Sequence, residues 1–563
     1  MKKFLLLFAF VYIVVAGFSQ SQRFVLLEEF TNASCGPCAS QNPAFDALLT
    51  ANAAKCTSIK FHTNWPGVDP MNAQNPADAA ARVGYYGVTG VPYALMDGVP
   101  QTGTNYSGAP ANVTQAKIDA EYSIPSPVEV SLQHYLSAGQ DSVYSNILVK
   151  CTQSFTGTLV AHNVIIEKWI HFNSPPGSNG EKDFYNVMKK ILPTSAGTSI
   201  PASMVPGDYV LIEGFWKFGT VYDKSQIASV GFVQDKNTKQ VFQAGLSSTS
   251  ALVMPYSNDL QVMSVSNVAA VTCKDKISPI VNVRNNGNST VTSMTIKYKV
   301  NDGSLSTFTW NGSLASMKHV DIALPQYEFG IVSQNILTIY TVNPNNTADQ
   351  YPKNDTLHYT IKAAPITTNL ITLTLHTDNA PQETTWDVKN SLGVIVAHGG
   401  PYSQSNTFIT ENITLPQADC FTFNIYDSGG NGLCCANGNG AYQVACGSVV
   451  IKQGGTFGSS ESSEFWMEAP ASVGETGNAT AFSVYPNPFG GSAKVSFYMV
   501  KAGDVTLSLY STLGQLVNTI SLGNFGSGQH ETNLDGQNLT PGMYILQLNT
   551  GSAIYSRKVS VIR

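Results

Sequence analysis

The chain has 563 residues, a net charge of −6 and only 12% charged side chains, about half the usual share. Such a length exceeds what one hydrophobic core sustains, so four or five domains are expected. No basic residues cluster, which excludes nucleic acid and anionic membrane surfaces as partners. In chain order, Lys2 and Lys3 precede an apolar run from Phe4 to about Ala16, followed by Gly17, Ser19 and Gln20. The run is too short to span a bilayer and has the layout of a signal peptide, residues 1–19, cleaved near Ser19 or Gln20. No cysteine stands at the cleavage point, so no lipoprotein anchor is expected. No later segment reaches the length of a membrane helix, and the protein is expected to be secreted or on the cell surface.

Arg23 to Phe30 is a short apolar run that predicts a strand, and Ala39 to Lys55 carries Phe45, Leu48 and Leu49 at helical spacing. Cys35-Gly36-Pro37-Cys38 therefore lies in a strand-to-helix turn. A helix N-terminus favours anions and lowers a thiol pKa, making an exposed Cys35 a usable nucleophile. Two cysteines at this spacing also suit a metal, but no second CxxC or CxxH has zinc spacing, so no metal and no cofactor are expected. The remaining rival is an inert local disulfide on a scaffold used only for binding. Thr57 to His62 predicts a strand ending at His62, on the sheet edge where ligands bind, making His62 a candidate modulator of the Cys35 thiolate. In the following loop Trp65 is either a substrate platform or loop packing. Asp78 to Tyr86 and Val113 to Tyr122 predict helices.

These residues resemble the thioredoxin superfamily. Cys35-Gly-Pro-Cys38 matches its tetrapeptide, Pro43 falls where the family kinks the active-site helix, and Glu29 falls where it keeps a buried acid. Tyr86-Gly-Val-Thr-Gly-Val91-Pro92 resembles the strand entered through a cis-proline. The resemblance implies that Pro92 lies against the dithiol and that the Val91 backbone pairs with a substrate chain. It further implies that Cys35 attacks a substrate disulfide and that Cys38 resolves the adduct while Glu29 relays the proton. Ser34 departs from the tryptophan usual before the first cysteine, and the stretch up to Pro92 is about a dozen residues longer than in a minimal thioredoxin. The fold expected for residues 21–125 is thioredoxin-like α/β, and for the rest of the chain several all-β domains, immunoglobulin-like or β-sandwich.

Residues 126–250 are expected to be β-rich, with strands at Val128 to Leu132, Ser145 to Lys150, Asp208 to Phe215 and Ile227 to Val233. Gly180 to Leu192 predicts an amphipathic helical insert stopped by Pro193. With Asp183-Phe-Tyr-Asn-Val-Met-Lys-Lys and Val230-Gly-Phe-Val-Gln, residues 21–245 resemble Bacteroidetes surface proteins related to a 28-kDa outer-membrane protein. Residues 255–363 show short strands separated by Asn286-Gly287 and Asp302-Gly303, the pattern of an immunoglobulin-like sandwich. Residues 364–469 predict a further β-sandwich, with strands at Leu370 to His376, Thr385 to Lys389 and Phe421 to Ile425. Its Asp427-Ser-Gly-Gly-Asn431-Gly432 loop has Gly438 where an EF-hand needs a bidentate Glu, so it reads as a turn held by Cys434 and Cys435. Cys420, Cys434, Cys435 and Cys446 are expected to staple this region in one of three connectivities. Of the nine cysteines, an odd number that leaves at least one free or paired outside the chain, Cys56, Cys151 and Cys273 stay unassigned.

After a polar linker at 475–481, residues 480–563 carry Phe482-Ser-Val-Tyr-Pro-Asn-Pro-Phe489, Val505-Thr-Leu-Ser-Leu-Tyr-Ser-Thr-Leu-Gly514 and Leu539-Thr-Pro-Gly-Met-Tyr-Ile-Leu-Gln-Leu548. Alternation alone predicts a small seven-strand sandwich. In this order the motifs, with Arg557, Lys558 and Arg563 near the end, resemble the C-terminal sorting domain of the type IX secretion system. That implies handling by its machinery and display at the outer-membrane surface. The leading functional expectation is thiol-disulfide exchange, as reductase or isomerase, on disulfide-containing extracytoplasmic proteins or a redox partner. Reducing CGPC members of the superfamily sit near about −270 mV, and nothing in the chain resembles a flavin or nicotinamide site to recharge the dithiol. The alternative is a non-catalytic surface binding or adhesion protein.

Overall fold

The computed structural model describes residues 20–468, 482–499, 502–550 and 554–562. The expected signal peptide, the linker at 475–481 and Arg563 lie outside the described residues. The chain is multidomain and β-rich, and divides into two compact units. One comprises Met1–Asn267, Ser278–Pro325 and Thr338–Tyr359; the other comprises Val268–Ile277, Gln326–Leu337 and Thr360–Arg563. No helix among the described residues is long and apolar enough to cross a membrane.

The first unit opens with β1 (Val25–Thr31), α1 (Gly36–Ala51) and β2 (Cys56–His62). α2 (Pro70–Gln74), α3 (Pro76–Tyr86), β3 (Tyr93–Met96), β4 (Val99–Pro100) and α4 (Gln115–Tyr122) follow. Next come β5 (Val128–Leu136), β6 (Ser142–Cys151), β7 (Leu159–His171), β8 (Asp183–Leu192), β9 (Tyr209–Lys217), β10 (Ile227–Asp235) and β11 (Val241–Leu246). One sheet has the order β11-β10-β7-β8-β2-β1-β3-β4, with Thr198–Ser199 added beside β7. β1 and β2 are parallel, whereas β3 runs antiparallel to β1. Every residue of β1 and β2 is buried, as a parallel pair covered on both faces requires. α1 and α4 cover one face through Phe45, Leu49 and Ile118 against Val25, Leu27 and Met96. On the other face, Leu26, Phe30, Ile59 and Phe61 share a core with Val164, Ile166 and Phe232. The sheet passes without a break through the boundary expected at 125/126, because β8 lies beside β2 with Val187 opposite Lys60.

The helical insert expected over Gly180 to Leu192 is instead β8, paired antiparallel with β7. Phe184, Val187, Met188 and Ile191 are all buried, and their spacing imitates a helical face. Two backbone irregularities produce it: Asn186 takes φ 50°, and the pairing slips where Ile165 and Ile166 face Lys190 and Met188. A bulge resets the period-2 alternation on which a strand is recognised. Lys189, brought inward by that slip, lies 3.1 Å from the buried Glu167 carboxylate.

A second, three-stranded sheet, β9-β6-β5, belongs to the same unit, and its Val128, Leu132, Ile147 and Val149 pack on Leu159, Ala161 and Val233. Farther along the chain, Leu260–Ser266, Ile280–Asn285 and His319–Ala323 form a three-stranded sheet. In the second unit, a five-stranded sheet with Asp419–Asp427 at its centre and a four-stranded sheet containing Leu370–His376 enclose Leu373, Leu375, Phe421, Phe423 and Phe465. Residues 482–561 contribute three strands to one sheet and four to another. Their inward Phe482, Val495, Phe497, Leu507, Leu509, Leu546 and Leu548 form one core, each alternating with outward polar residues as the sequence pattern requires.

Candidate functional site at the Cys35–Cys38 disulfide

Cys35 is the N-cap of α1 and Cys38 lies in its first turn, where the amide of Cys38 donates to Cys35 Sγ at 3.1 Å. Pro37 suits this turn because it lacks an amide proton that would have no helical acceptor. The two cysteines are disulfide-bonded. Val91–Pro92 is a cis peptide, and the Val91 carbonyl oxygen lies 3.5 Å from Cys35 Sγ. The Pro92 carbonyl accepts from the Tyr106 hydroxyl at 2.7 Å, and Gln41 of α1 reaches the same hydroxyl at 3.3 Å. Cys35, Cys38, Val91 and Pro92 are thus brought together.

Below the disulfide, β1 and β2 place charges in the core. Glu29 is fully buried, with Lys60 Nζ 3.0 Å from one oxygen and Asp46 of α1 2.5 Å from the same ammonium. Burial pushes the Glu29 carboxyl up to about 7 against the pull of Lys60. Burial also disfavours the Lys60 ammonium, but Glu29 and Asp46 outweigh it and hold that pKa above its ordinary value. Asp46 is the closer partner, so Glu29 is the group left able to hold or release a proton near neutrality. A lysine flanked by Ile59 and Phe61 in the strand expected at Thr57 to His62 was the sequence signal for this pair.

His62 is buried and spends Nδ1 on Asp69, 2.7 Å away. Burial pushes the Asp69 carboxyl up, but His62 and the amides of Ala33 and Asn72 together hold it below the carboxylate range. His62 therefore organises the loop that follows β2 and makes no contact with Cys35 sulfur. Trp65 is half-buried and packs against the Phe30–Phe61 core, so it presents no free platform.

Sequence reasoning missed the strap between β7 and β8. Asn179 donates from its side chain to the carbonyls of Cys35 at 3.2 Å and Asn32 at 3.3 Å, and from its amide to Ala33 at 3.2 Å. The Ser178 amide donates to Ser34 Oγ at 3.1 Å, so the serine that replaces the expected tryptophan is an anchor for the strap. Glu181 accepts from Asn42 of α1 at 2.9 Å, and burial raises its pKa. With the turn so covered, Cys35 is 2% exposed, which corrects the expectation of an exposed first cysteine. A Cβ on Gly177 would lie 2.2 Å from the Ala33 carbonyl oxygen, a backbone clash that only moving the strap relieves. Gly177→Ala is therefore expected to speed alkylation of Cys35 in the reduced protein. An unchanged rate would show that the strap does not limit access.

The other cysteines depart from the expected cluster. Cys273 pairs with Cys420 across 147 residues, and Cys434 pairs with its neighbour Cys435. Cys56, Cys151 and Cys446 are free, the first two buried. Asp427 accepts from the amides of Asn431 and Gly432, both at 2.8 Å, so its carboxylate closes the turn instead of presenting an ion ligand.

Residues 483–562 match the family described as the secretion system C-terminal sorting domain. The chain is a secreted, cell-surface protein. Its sorting domain implies interaction with the type IX secretion machinery. No curated protein matches the chain. Among solved structures it is similar to HBP35 of Porphyromonas gingivalis, at 15% identity over 61% of this chain and 98% of that one, with a TM-score of 0.34. It is also similar to the BSP domain of a biofilm associated protein, at 9% identity over 77% and 96% of the two chains, with a TM-score of 0.15.

Proposed function

We propose that this surface protein is a binding or adhesion protein in which residues 21–125 and the β modules serve as scaffold. The observation that carries this reading is the strap: Cys35 is 2% exposed, and its carbonyl is held by Asn179. A nucleophile so covered does not meet a substrate disulfide unless the strap moves. The β modules, low charge and sorting tail agree with it.

A second reading is favoured by a specific observation, the Glu29–Lys60–Asp46 group beneath the disulfide. A bare scaffold has no use for a buried carboxyl held near 7, whereas a dithiol whose resolving thiol must lose a proton does. The β2-β1-β3-β4 order, α1 after β1 and α4 after β4 support a thioredoxin-like fold for this part. Here Cys35 thiolate attacks a substrate disulfide, releasing one substrate thiolate and forming a mixed disulfide. Cys38, deprotonated by Glu29, then attacks Cys35 Sγ, releasing the second substrate thiol and closing Cys35–Cys38.

One experiment separates the readings: turnover of a protein disulfide by the full mature chain, supplied with dithiothreitol, beside Cys35→Ser and Glu29→Gln. The binding reading expects wild type and Cys35→Ser to be equal. Exchange predicts that Cys35→Ser is inactive. It also predicts a wild-type rate that rises through about pH 7 as Glu29 loses its proton. Glu29→Gln would lose that inflection and about 10²-fold or more in rate.

A further inference from the structure

His162 stands on β7 opposite Phe232 of β10. It is 5% exposed, and its ring lies on the Phe232 ring with centroids 4.7 Å apart and planes 21° from parallel. Burying a polar atom without a partner is costly, yet Nδ1 is sealed from solvent with no hydrogen-bond partner. The turn after β8 closes over it, since a Cβ on Gly197 would stand 2.8 Å from that nitrogen. Burial, helped by the Arg82 guanidinium, pushes the imidazole pKa well below its ordinary value, so the ring is neutral near pH 7 and carries one N–H. Buried N–H groups without acceptors are rarer than under-satisfied acceptors, which puts the proton on Nε2. That nitrogen is not among the sealed atoms and is the one left to meet solvent.

The solvent beside His162 fills a cavity of about 240 Å³ between α3, β7, the turn after β8 and the end of β10. Val160 and Ala196 give it apolar walls and Tyr85 an aromatic one. The Tyr85 ring is held by two cations, with Arg82 4.9 Å and Lys239 5.2 Å from its centroid. Arg82 and Gln234 also line the cavity, but their polar atoms are spent. Arg82 donates to Glu28 at 3.1 Å and to Gln234 at 3.2 Å, and Gln234 donates to Tyr86 at 2.8 Å and to the Lys239 carbonyl at 2.6 Å. Lys236, exposed, makes no ion pair among the described residues. The carboxylate next to it, Asp235, is taken up by the amides of Asn237 at 2.9 Å and Thr238 at 2.7 Å. Among the described residues lining the cavity, none is acidic.

We infer that this cavity binds a small aromatic monocarboxylate, its ring against Tyr85 and Val160 and its carboxylate accepting from His162 Nε2 under the pull of Lys236. A buried donor, an unpaired ammonium and apolar walls together ask for one negative charge on a compact apolar body. A cavity of roughly 150 Å³ takes benzene, so this one holds a ring and a carboxylate and is too small for a fatty chain. Inorganic phosphate or sulfate would leave the Tyr85 and Val160 walls uncovered and brings more charge than one ammonium matches. The inference rests on neither reading of the disulfide.

The test is calorimetric titration of the full mature chain, disulfide intact, with benzoate, beside benzamide and acetate, and with thermal unfolding in parallel. Benzoate is expected to bind once per chain with a dissociation constant of about 0.1–1 mM, in the range so small a ligand sustains, and to raise Tm. Benzamide and acetate are expected to bind more weakly. His162→Phe keeps a ring against Phe232 and is expected to weaken benzoate about tenfold or more, the worth of a hydrogen bond to a charged group. Lys236→Met changes an exposed residue on which folding does not depend, and is expected to weaken benzoate about two- to fivefold while leaving benzamide unchanged. No heat and no Tm rise up to about 10 mM benzoate, ten times the weakest expected constant, would overturn the inference. Benzoate binding unaltered in both variants would place the ligand elsewhere and overturn it too. Acetate binding as tightly as benzoate would do the same, since the aromatic wall would then have no part.

Discussion

Arg82→Ala is expected to destabilise the first unit by about 3–5 kcal/mol, the cost of stranding a buried ionic partner. Arg82 is 2% exposed and Glu28 1% exposed. The guanidinium reaches Glu28 Oε1 at 2.5 Å from Nη2 and 3.1 Å from Nε, and Gln234 at 3.2 Å. It thereby ties α3 to β1 and β10. The rings of Tyr86 at 4.8 Å, Tyr85 at 4.9 Å and Phe232 at 5.4 Å surround the same group, so alanine also leaves a cavity. Urea unfolding monitored in both units checks this: the first unit's midpoint falls while that of residues 482–562 stays put. A double variant, Arg82→Met with Glu28→Gln, is expected to recover much of the loss, since it removes the charge that the single variant strands. Equal losses in the single and double variants would refute the ionic explanation.

Cys273→Ser with Cys420→Ser is expected to cost the second unit about 2–5 kcal/mol, toward the upper end because the closed loop is long. The disulfide closes 147 residues and joins Val271–Thr272, which lies parallel to Lys362–Ala363, to the central strand Asp419–Asp427. Glu464 braces the junction, accepting from Thr272 Oγ1 at 2.7 Å and pairing with Lys274 at 2.7 Å. The check is denaturant unfolding of the double variant without reductant. Wild type with dithiothreitol should approach the variant, and a variant as stable as wild type would mean that the disulfide adds nothing. Replacing both cysteines avoids the confusion of a new free thiol.

Much of this architecture was legible because it rests on local pattern. β1, β2 and α3 follow from runs and alternation, and the Cys35 turn follows from a strand meeting a helix that Pro37 can start. The sorting domain was readable for the same reason: its strands alternate cleanly and its proline and glycine turns are local. What failed was long-range or irregular. A left-handed Asn186 and a slipped register made β8 imitate a helix. The Cys273–Cys420 pairing joins residues whose proximity depends on the whole fold, so spacing carried no information about it. The strap hid for a similar reason, since Ser178, Asn179 and Glu181 acquire meaning only when β7 and β8 bring them back over Cys35. Lys60 could have been caught, because a charge set between Ile59 and Phe61 in a buried strand needs a buried partner, and Glu29 stood one strand away.

The seat of β8 beside β2 also constrains how this gene can be cut or recombined. A fragment ending at residue 125 would carry the disulfide and its cis-proline yet leave β2, every residue of which is buried in the whole chain, as an open edge ready to pair with any passing strand. Shuffling of this segment among proteins must therefore carry residues 20 to about 246 as one piece. What looks in the sequence like a portable redox cassette is inherited with its cover attached.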